Sequence, residues 1–209
     1  MHTIKSELGF GIKMDKLVFE KLFNLYQPKE RWIEQVIHEF CWMVEKAEST
    51  TPHCILEIGV KYGGSLKFWE RLVLPNDLVI GVDNNPDTLN YRRWKWENSN
   101  REIHVIIGDS RDAETVEKVK KILDGRKVDF LFIDGGHGIH EGPIGGRQVC
   151  VDSIPAKDFK NYSPFVRSGG IVLVADLGEP CPMELWNSLT GKKEKCGAPM
   201  LGHGAWWKP

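Results

Sequence analysis

The chain has 209 residues, 41% hydrophobic and 27% charged, enough for one globular domain with an appendage and too few for two full enzyme domains. Its 28 Lys and Arg against 29 Asp and Glu leave a net charge of −1, so no overall positive field holds a nucleic acid or an anionic membrane. The apolar runs fall well short of the ~20 residues that cross a bilayer, and MHTIKSELGF has no apolar signal core, so the expectation is a soluble, cytoplasmic protein acting on a small molecule.

Residues 13–49 place Leu17, Val18, Leu22 and Leu25, then Trp32, Val36, Ile37, Phe40 and Val44, near helical spacing, with Pro28 between the two stretches. This predicts a two-segment helical prefix over residues 1–52. From residue 53 onward the texture changes to short β-rich runs alternating with amphipathic stretches, the pattern of a parallel α/β sheet. The runs are CILEIG (54–59), LVIGVD (78–83), IHVIIGD (103–109), VDFLFID (128–134) and IVLVAD (171–176). Glu57 and the four terminal Asp residues follow one another at intervals of 26, 26, 25 and 42 residues. The first three intervals fit one βαβ unit of roughly 30 residues each, and the last holds an insertion at about 138–153.

Helix starts are legible between the runs. Asn85-Pro86-Asp87 opens one helix, Asp112 caps another that ends at Gly125, and Pro155 starts a third that ends near 167–170. Residues 183–189 suggest a short helix and 204–208 a last strand. The predicted fold is thus α/β, a doubly wound and mostly parallel sheet over residues 53–209 behind the helical prefix. Five cysteines, an odd number without a CxxC pair, predict neither a disulfide framework nor a structural zinc site, and Cys54 reads as a buried small hydrophobe. Of eight tryptophans, Trp69, Trp94 and Trp96 fall on covering helices; those in the prefix (Trp32, Trp42) or tail (Trp186, Trp206, Trp207) are candidates for an aromatic acceptor wall.

Ligands of an open parallel sheet bind outside the carboxyl ends of its strands, where these acids gather. The first loop, from Glu57 and Gly59 to Gly63, Gly64 and Ser65, lets backbone approach a ligand closely, but it is neither the GxGxxG of nicotinamide enzymes nor a P-loop. Asp83, after the second strand, suits ribose hydroxyls. Asp109 and Ser110, after the third, offer a carboxylate and a hydroxyl to an adenine amino group. His137, in Asp-Gly-Gly-His, suits a general base because an imidazole titrates near neutrality. Within the insertion, His140 and Glu141 lack HExxH order. Its glycines suggest a mobile lid with Arg147 as an anion contact. Tyr91-Arg92-Arg93-Trp94-Lys95-Trp96 reads as a sheet-covering helix rather than a nucleic-acid stacking surface.

LEIGVKYGGSLKFW, VIGVDNNP, IIGDSRD, VDFLFIDGGH and KDFKNYSPFVRSGGIVLVAD together resemble the class I S-adenosylmethionine-dependent methyltransferases. Within that class they look like the branch of cephalosporin-hydroxylase-like and macrolide or sugar O-methyltransferases, with more distant similarity to catechol O-methyltransferases. The resemblance implies S-adenosyl-L-methionine as cofactor, bound by Glu57, Gly59, Gly63, Ser65, Asp83, Asp109 and Ser110. It implies O-methylation of a small hydroxylated molecule, with Asp134, His137 and Asp176 facing that acceptor. In the resembling family the acids at the Asp134 and Asp176 positions help hold a divalent metal, which makes Mg²⁺ a second cofactor candidate here. Ala175 and Leu177 flank Asp176 where relatives often carry a further acid or amide; Glu179 or His137 are substitutes. The rival readings are an NAD(P)-dependent oxidoreductase, disfavoured by the failed GxGxxG and the lack of a Tyr-xxx-Lys pair, and a catalytically silent cofactor-binding or partner module. Oligomeric state stays open at this point, a homo-oligomer included.

Overall fold

The computed structural model describes residues 16–26, 36–86, 102–141, 149–197 and 202–209. The predicted parallel strands are present as β1 (Cys54–Ile58), β2 (Leu78–Asp83), β3 (Glu102–Ile107), β4 (Val128–Ile133) and β7 (Val166–Val174). They belong to a seven-stranded sheet of order β3-β2-β1-β4-β7-β9-β8, closed at one side by β9 (His203–Trp207) and β8 (Lys193–Cys196). β9 runs antiparallel to β7, and β8 antiparallel to β9. The chain travels from β1 out to β3 and then returns to β4 on the other side of β1, so the strand order reverses between β1 and β4. That reversal opens a crevice at the carboxyl edge.

Successive side chains of a strand face opposite ways, and here both faces are covered. Ile55, Val79, Phe130, Phe132 and Leu173 pack under α1 (Lys16–Tyr26), α2 (Ile37–Ser49) and α3 (Leu66–Leu72). Their neighbours Leu56, Ile80, Leu131 and Val172 pack under α4 (Ala113–Leu123), α5 (Ile154–Tyr162) and α6 (Pro180–Ser188). Among the described residues no helix is long and apolar enough to cross a membrane.

The first core is aromatic. The Phe40 ring lies 4.8 Å from Phe68 and 5.6 Å from Trp69, and Trp69 reaches Phe130 at 5.4 Å. Phe19 joins through Phe40 at 5.9 Å and Phe68 at 5.4 Å. Among the described side chains of α1, Phe19 and Phe23, spaced i and i+4, are buried, while Leu17 is 57% exposed. Pro28 and Trp32 of the prefix lie outside the described residues, as do the 91–96 segment, the rest of the helix expected from Asp87, and Arg147.

Several boundaries differ from expectation. The third predicted helix stops at Tyr162, and the chain enters β7 at Val166 rather than at residue 171. A register shift between Val128 and Phe130 lets Val128 pair with Val166 despite the two glycines between. Lys193, Glu194 and Lys195 make β8 a charged edge strand, which carries no apolar alternation to betray it and discourages pairing with another chain. The insertion contains an antiparallel hairpin of β5 (Ile139–Glu141) and β6 (Val149–Asp152).

One cysteine expectation is overturned: Cys150 of β6 and Cys181 of α6 form a disulfide across 31 residues of sequence. The pairing is non-local, and neither an odd count nor spacing could show it. Cys54 is buried as expected, and burial pushes its thiol pKa up to about 12. The tail tryptophans do not wall the carboxyl edge. Because β9 is antiparallel, Trp206 and Trp207 pair with Val172 and Ile171, part-way back along β7, and Trp186 is buried against Gly204. Lys192 sits 4.1 Å over the Trp207 ring.

Candidate functional site

One backbone bond beyond each strand extends the ladder into the crevice. Gly59 N donates to Val82 O and Asp134 N to Ile58 O, both at 2.8 Å; Gly108 N reaches Asp83 O at 2.9 Å and Ala175 N reaches Ile133 O at 3.0 Å. These bonds fix the starts of the loops that carry the predicted residues. Gly59 has φ +90°, and a Cβ there would lie 2.1 Å from Asp134 O. Only glycine fits where the first loop crosses the end of β4.

The resulting cleft is open to solvent and holds about 120 Å³. Gly59, Asp83, Asp109 and Ser110 line it, together with Gly135, Gly136 and Ile154. Asp83 is held by its own loops: Oδ2 accepts from Lys61 N at 2.6 Å and Oδ1 from Asn85 N at 2.8 Å. Each oxygen keeps a lone pair for a ligand hydroxyl.

Glu57, Gly63 and Ser65 stand apart from that lining. Glu57 is buried under the first loop, where it accepts hydrogen bonds from Ser65 Oγ and, at 3.0 Å, from Trp69 Nε1. Burial outweighs these bonds and pushes its pKa up to about 8. Gly63, at φ +77°, donates its N–H to Val60 O at 2.8 Å and closes the loop's turn. The three residues thus brace the loop from below.

Asp109 is turned toward Arg111, which donates from Nε at 2.8 Å and from its backbone N at 2.9 Å to Oδ1. The Arg111 hydrogen bonds hold the Asp109 carboxyl down at about 2. Ser110 is fastened from α5: Oγ donates to Asp158 Oδ1 at 2.6 Å, and its carbonyl accepts from Tyr162 Oη at 2.8 Å and Asn161 Nδ2 at 3.3 Å. Sequence reasoning passed over Asp158 because a lone acid in KDFKNY looks like a solvated helix residue. The fold buries it completely.

On the far side of the switch point, His137 Nε2 and Asp176 Oδ2 lie 2.7 Å apart. The Asp176 hydrogen bond holds the imidazole pKa above its ordinary value against the opposing effect of burial, and the charges of Asp176, Glu179 and Asp134 act the same way. His137 stays 45% exposed, so a substrate hydroxyl can reach it. Asp176 adopts φ +53°, and its loop is clamped on both sides, by Ala175 N to Ile133 O and by Leu177 N to Gly202 O at 2.7 Å. Gly138 bears φ +97°, and a Cβ there would sit 2.1 Å from Asp152 O, so the His137 loop is pressed against β6. Beneath the Leu177 clamp, buried His203 lies 3.3 Å from buried Glu39 of α2, and desolvation keeps its pKa low. Nothing in the sequence signalled that pair.

The described residues contain no group of three or more His, Cys, Asp or Glu that could hold a metal ion. Asp176 Oδ2 is taken by His137, and Ala175 and Leu177 are buried apolar neighbours. A Mg²⁺ ion at Asp134 and Asp176 would therefore rest on those carboxylates and several waters.

Comparison with known proteins fits this geometry. Bovine (Bos taurus) catechol O-methyltransferase is 25% identical over 112 residues, 52% of this chain and 40% of that protein, so the chain spans less than half of the curated relative's length. Among solved structures, an O-methyltransferase from Bacillus cereus in complex with SAH superposes at a TM-score of 0.60 with 14% identity, covering 93% of this chain and 92% of the other. The MycE methyltransferase of the mycinamycin pathway, in complex with Mg and SAH, gives 0.58 with 17% identity, over 91% of this chain and 54% of the other. These likenesses confirm the predicted doubly wound fold. A family model described as a methyltransferase domain matches residues 56–177, more than half of the chain and all five parallel strand ends, and the chain belongs to that family.

Proposed function

We propose that the protein is an S-adenosylmethionine-dependent O-methyltransferase acting on a small hydroxylated molecule. The observation that carries the reading is the placement, on one carboxyl edge in a chain of this family, of the Gly59–Asp83–Ser110 cleft beside the His137–Asp176 pair. The catechol O-methyltransferase relative and the SAH-bound neighbours support the cofactor and the oxygen acceptor. Residues 53–209 form the cofactor-binding unit in this reading, and α1 and α2 close one face of its sheet.

When bound, the cofactor supplies a sulfonium methyl group whose transfer to oxygen leaves a neutral thioether. The protein's work is to hold the two reactants in line and remove one proton. Asp83 takes the ribose hydroxyls, and Gly59 admits the ligand against bare backbone. His137 accepts the acceptor's hydroxyl proton, and Asp176 holds the ring and stabilises the imidazolium that results. No step is routed through Mg²⁺. Exposed Ile139, Val149 and Val151 on the hairpin supply an apolar wall for the acceptor. The near-neutral charge supports a small acceptor over a nucleic acid or a membrane surface.

Calorimetric titration with S-adenosylmethionine should give saturable heat where NADH gives none. The protein should then methylate members of a panel of catechols, sugars and macrolides, with or without chelator. Absence of heat overturns the cofactor, absence of transfer across the panel favours the silent-module reading, and dependence on Mg²⁺ overturns the metal-free mechanism.

A further inference from the structure

Asp158 is a fully buried acid that the mechanism above does not use, and its surroundings are specific. It projects from α5 with Asn161 and Tyr162, spaced i, i+3 and i+4, and all three side chains end on Ser110. Two of them grip the Ser110 carbonyl. Asp158 alone grips the hydroxyl, at 2.6 Å, and its other oxygen, Oδ2, has no hydrogen-bond partner among the described residues. Oδ2 lies beneath Gly135, part of the cleft wall, where an added Cβ would come within 3.5 Å of it. Ser110 lines the same cleft.

A serine hydroxyl has one proton to donate and two lone pairs with which to accept. An ionised carboxylate can only accept, so the Ser110 proton must point at Asp158. What Ser110 then shows the cleft is lone pairs alone. We propose that Asp158 is a positioning residue that locks Ser110 as a hydrogen-bond acceptor, so that the site takes a 6-aminopurine nucleoside and rejects its 6-oxo counterpart. This rests on the cofactor reading given above. An amino group meets the Ser110 lone pairs as a donor. A 6-oxo group sets lone pairs against lone pairs, and the hydroxyl cannot turn round without leaving Asp158 unpaired in a buried setting. Burial raises the Asp158 pKa to about 6, which still leaves the carboxylate ionised and acceptor-only at neutral pH. Asp109 and Arg111, the charged groups nearest it, are paired with each other.

The test is calorimetric binding of S-adenosylhomocysteine and of S-inosylhomocysteine, which differ at the exocyclic group and in the proton on the adjoining N1, to wild type, Asp158→Asn and Ser110→Ala at pH 7.5. Wild type should prefer the adenosyl compound by about tenfold or more. In Asp158→Asn the amide offers a donor as well as an acceptor, the hydroxyl is free to reverse, and the preference should shrink to within about threefold. Ser110→Ala should lose it equally, and that half-exposed side chain can be removed without opening the core should the Asn variant misfold. A merely structural role for Asp158 would lower both affinities together and leave their ratio unchanged. An unchanged ratio in a variant that still binds S-adenosylhomocysteine overturns the inference alone. A wild type that binds neither compound overturns the cofactor reading as well.

Discussion

Replacing Gly59 by alanine tests the claim that the cleft depends on backbone meeting backbone at the switch point, and Gly125→Ala is its control. The two glycines have similar dihedrals, φ +90° and +82°, so a methyl group brings the same left-handed strain to each, about 1–2 kcal/mol. At Gly125, just past α4, the new Cβ meets nothing within 4 Å. At Gly59 it would lie 2.1 Å from Asp134 O, 2.4 Å from Asp134 C and 2.6 Å from Gly135 Cα, all far inside the 3.4 Å at which ordinary contact begins. The backbone at 134–135 must therefore retreat by roughly 1 Å, straining the Asp134 N to Ile58 O bond, and overpacking of that kind adds about 1–3 kcal/mol. At roughly 2–4 °C per kcal/mol for a chain of this size, Gly125→Ala should lower Tm by about 2–8 °C and Gly59→Ala by about 4–20 °C, the latter always the larger. Because the retreating segment carries Asp134 and leads to His137, binding of S-adenosylhomocysteine and turnover should fall together in Gly59→Ala and hold in Gly125→Ala. Equal melting temperatures, with cofactor binding intact in both, would refute the reasoning.

Three further outcomes are expected. Glu57 has a folded pKa near 8 against an ordinary 4.5, so the stabilisation from its bound proton is complete below pH 4.5 and is lost as the pH rises through 8. Wild type should accordingly lose more Tm between pH 5 and 9 than Glu57→Gln, and parallel curves would oppose this. His137→Ala should lower kcat by about 10²–10⁴ without weakening cofactor binding. Asp176→Asn removes the bond that raises the His137 pKa, so the deprotonated base persists to lower pH; the acidic limb of kcat should shift downward, and an unmoved limb would speak against the pairing. Closing the 31-residue separation of Cys150 and Cys181 contributes about 3–4 kcal/mol by denatured-state entropy, so reduction should cost about 7–15 °C of Tm. Thiol titration of the denatured chain should count three groups before reduction, Cys41, Cys54 and Cys196, and five after.

What could be read from sequence follows from where each signal resides. The parallel strands are buried on both faces, so they stand out as unbroken apolar runs, and the acids at their ends mark the carboxyl edge in the sequence itself. Gly59, Asp83 and Ser110 were legible for that reason. Glu57 and Ser65 were expected at the cofactor, but they stand outside the cleft lining, because strand alternation turns Glu57 toward the α3 side with Ile55. Trp69 on α3 draws Glu57 inward, away from the cleft. Asp158, His203 and Glu39 were invisible, since a buried polar residue looks in sequence like any surface one. β5, β6 and β8 escaped because a short strand with one wet face, as in Val149–Asp152, lacks a distinguishing period.

In the proposed function the cofactor and acceptor halves of the cleft are built by different means, and this bears on how the activity can be altered. The cofactor half comes from loops following β1, β2 and β3: backbone donors Lys61 N and Asn85 N hold Asp83, and α5 side chains hold Ser110. Side-chain substitution leaves the backbone donors in place. The acceptor half depends on elements far apart in the chain: His137 on Asp176, Leu177 on Gly202, and the hairpin on α6 through Cys150 and Cys181. Every one of those ties passes through late residues, and the exposed Ile139, Val149 and Val151 contribute nothing to the core. Exchanging hairpin side chains should therefore change which acceptor is methylated while leaving cofactor affinity alone. The contact of Gly59 with the Asp134 backbone is where the halves touch, so damage at that point reaches both.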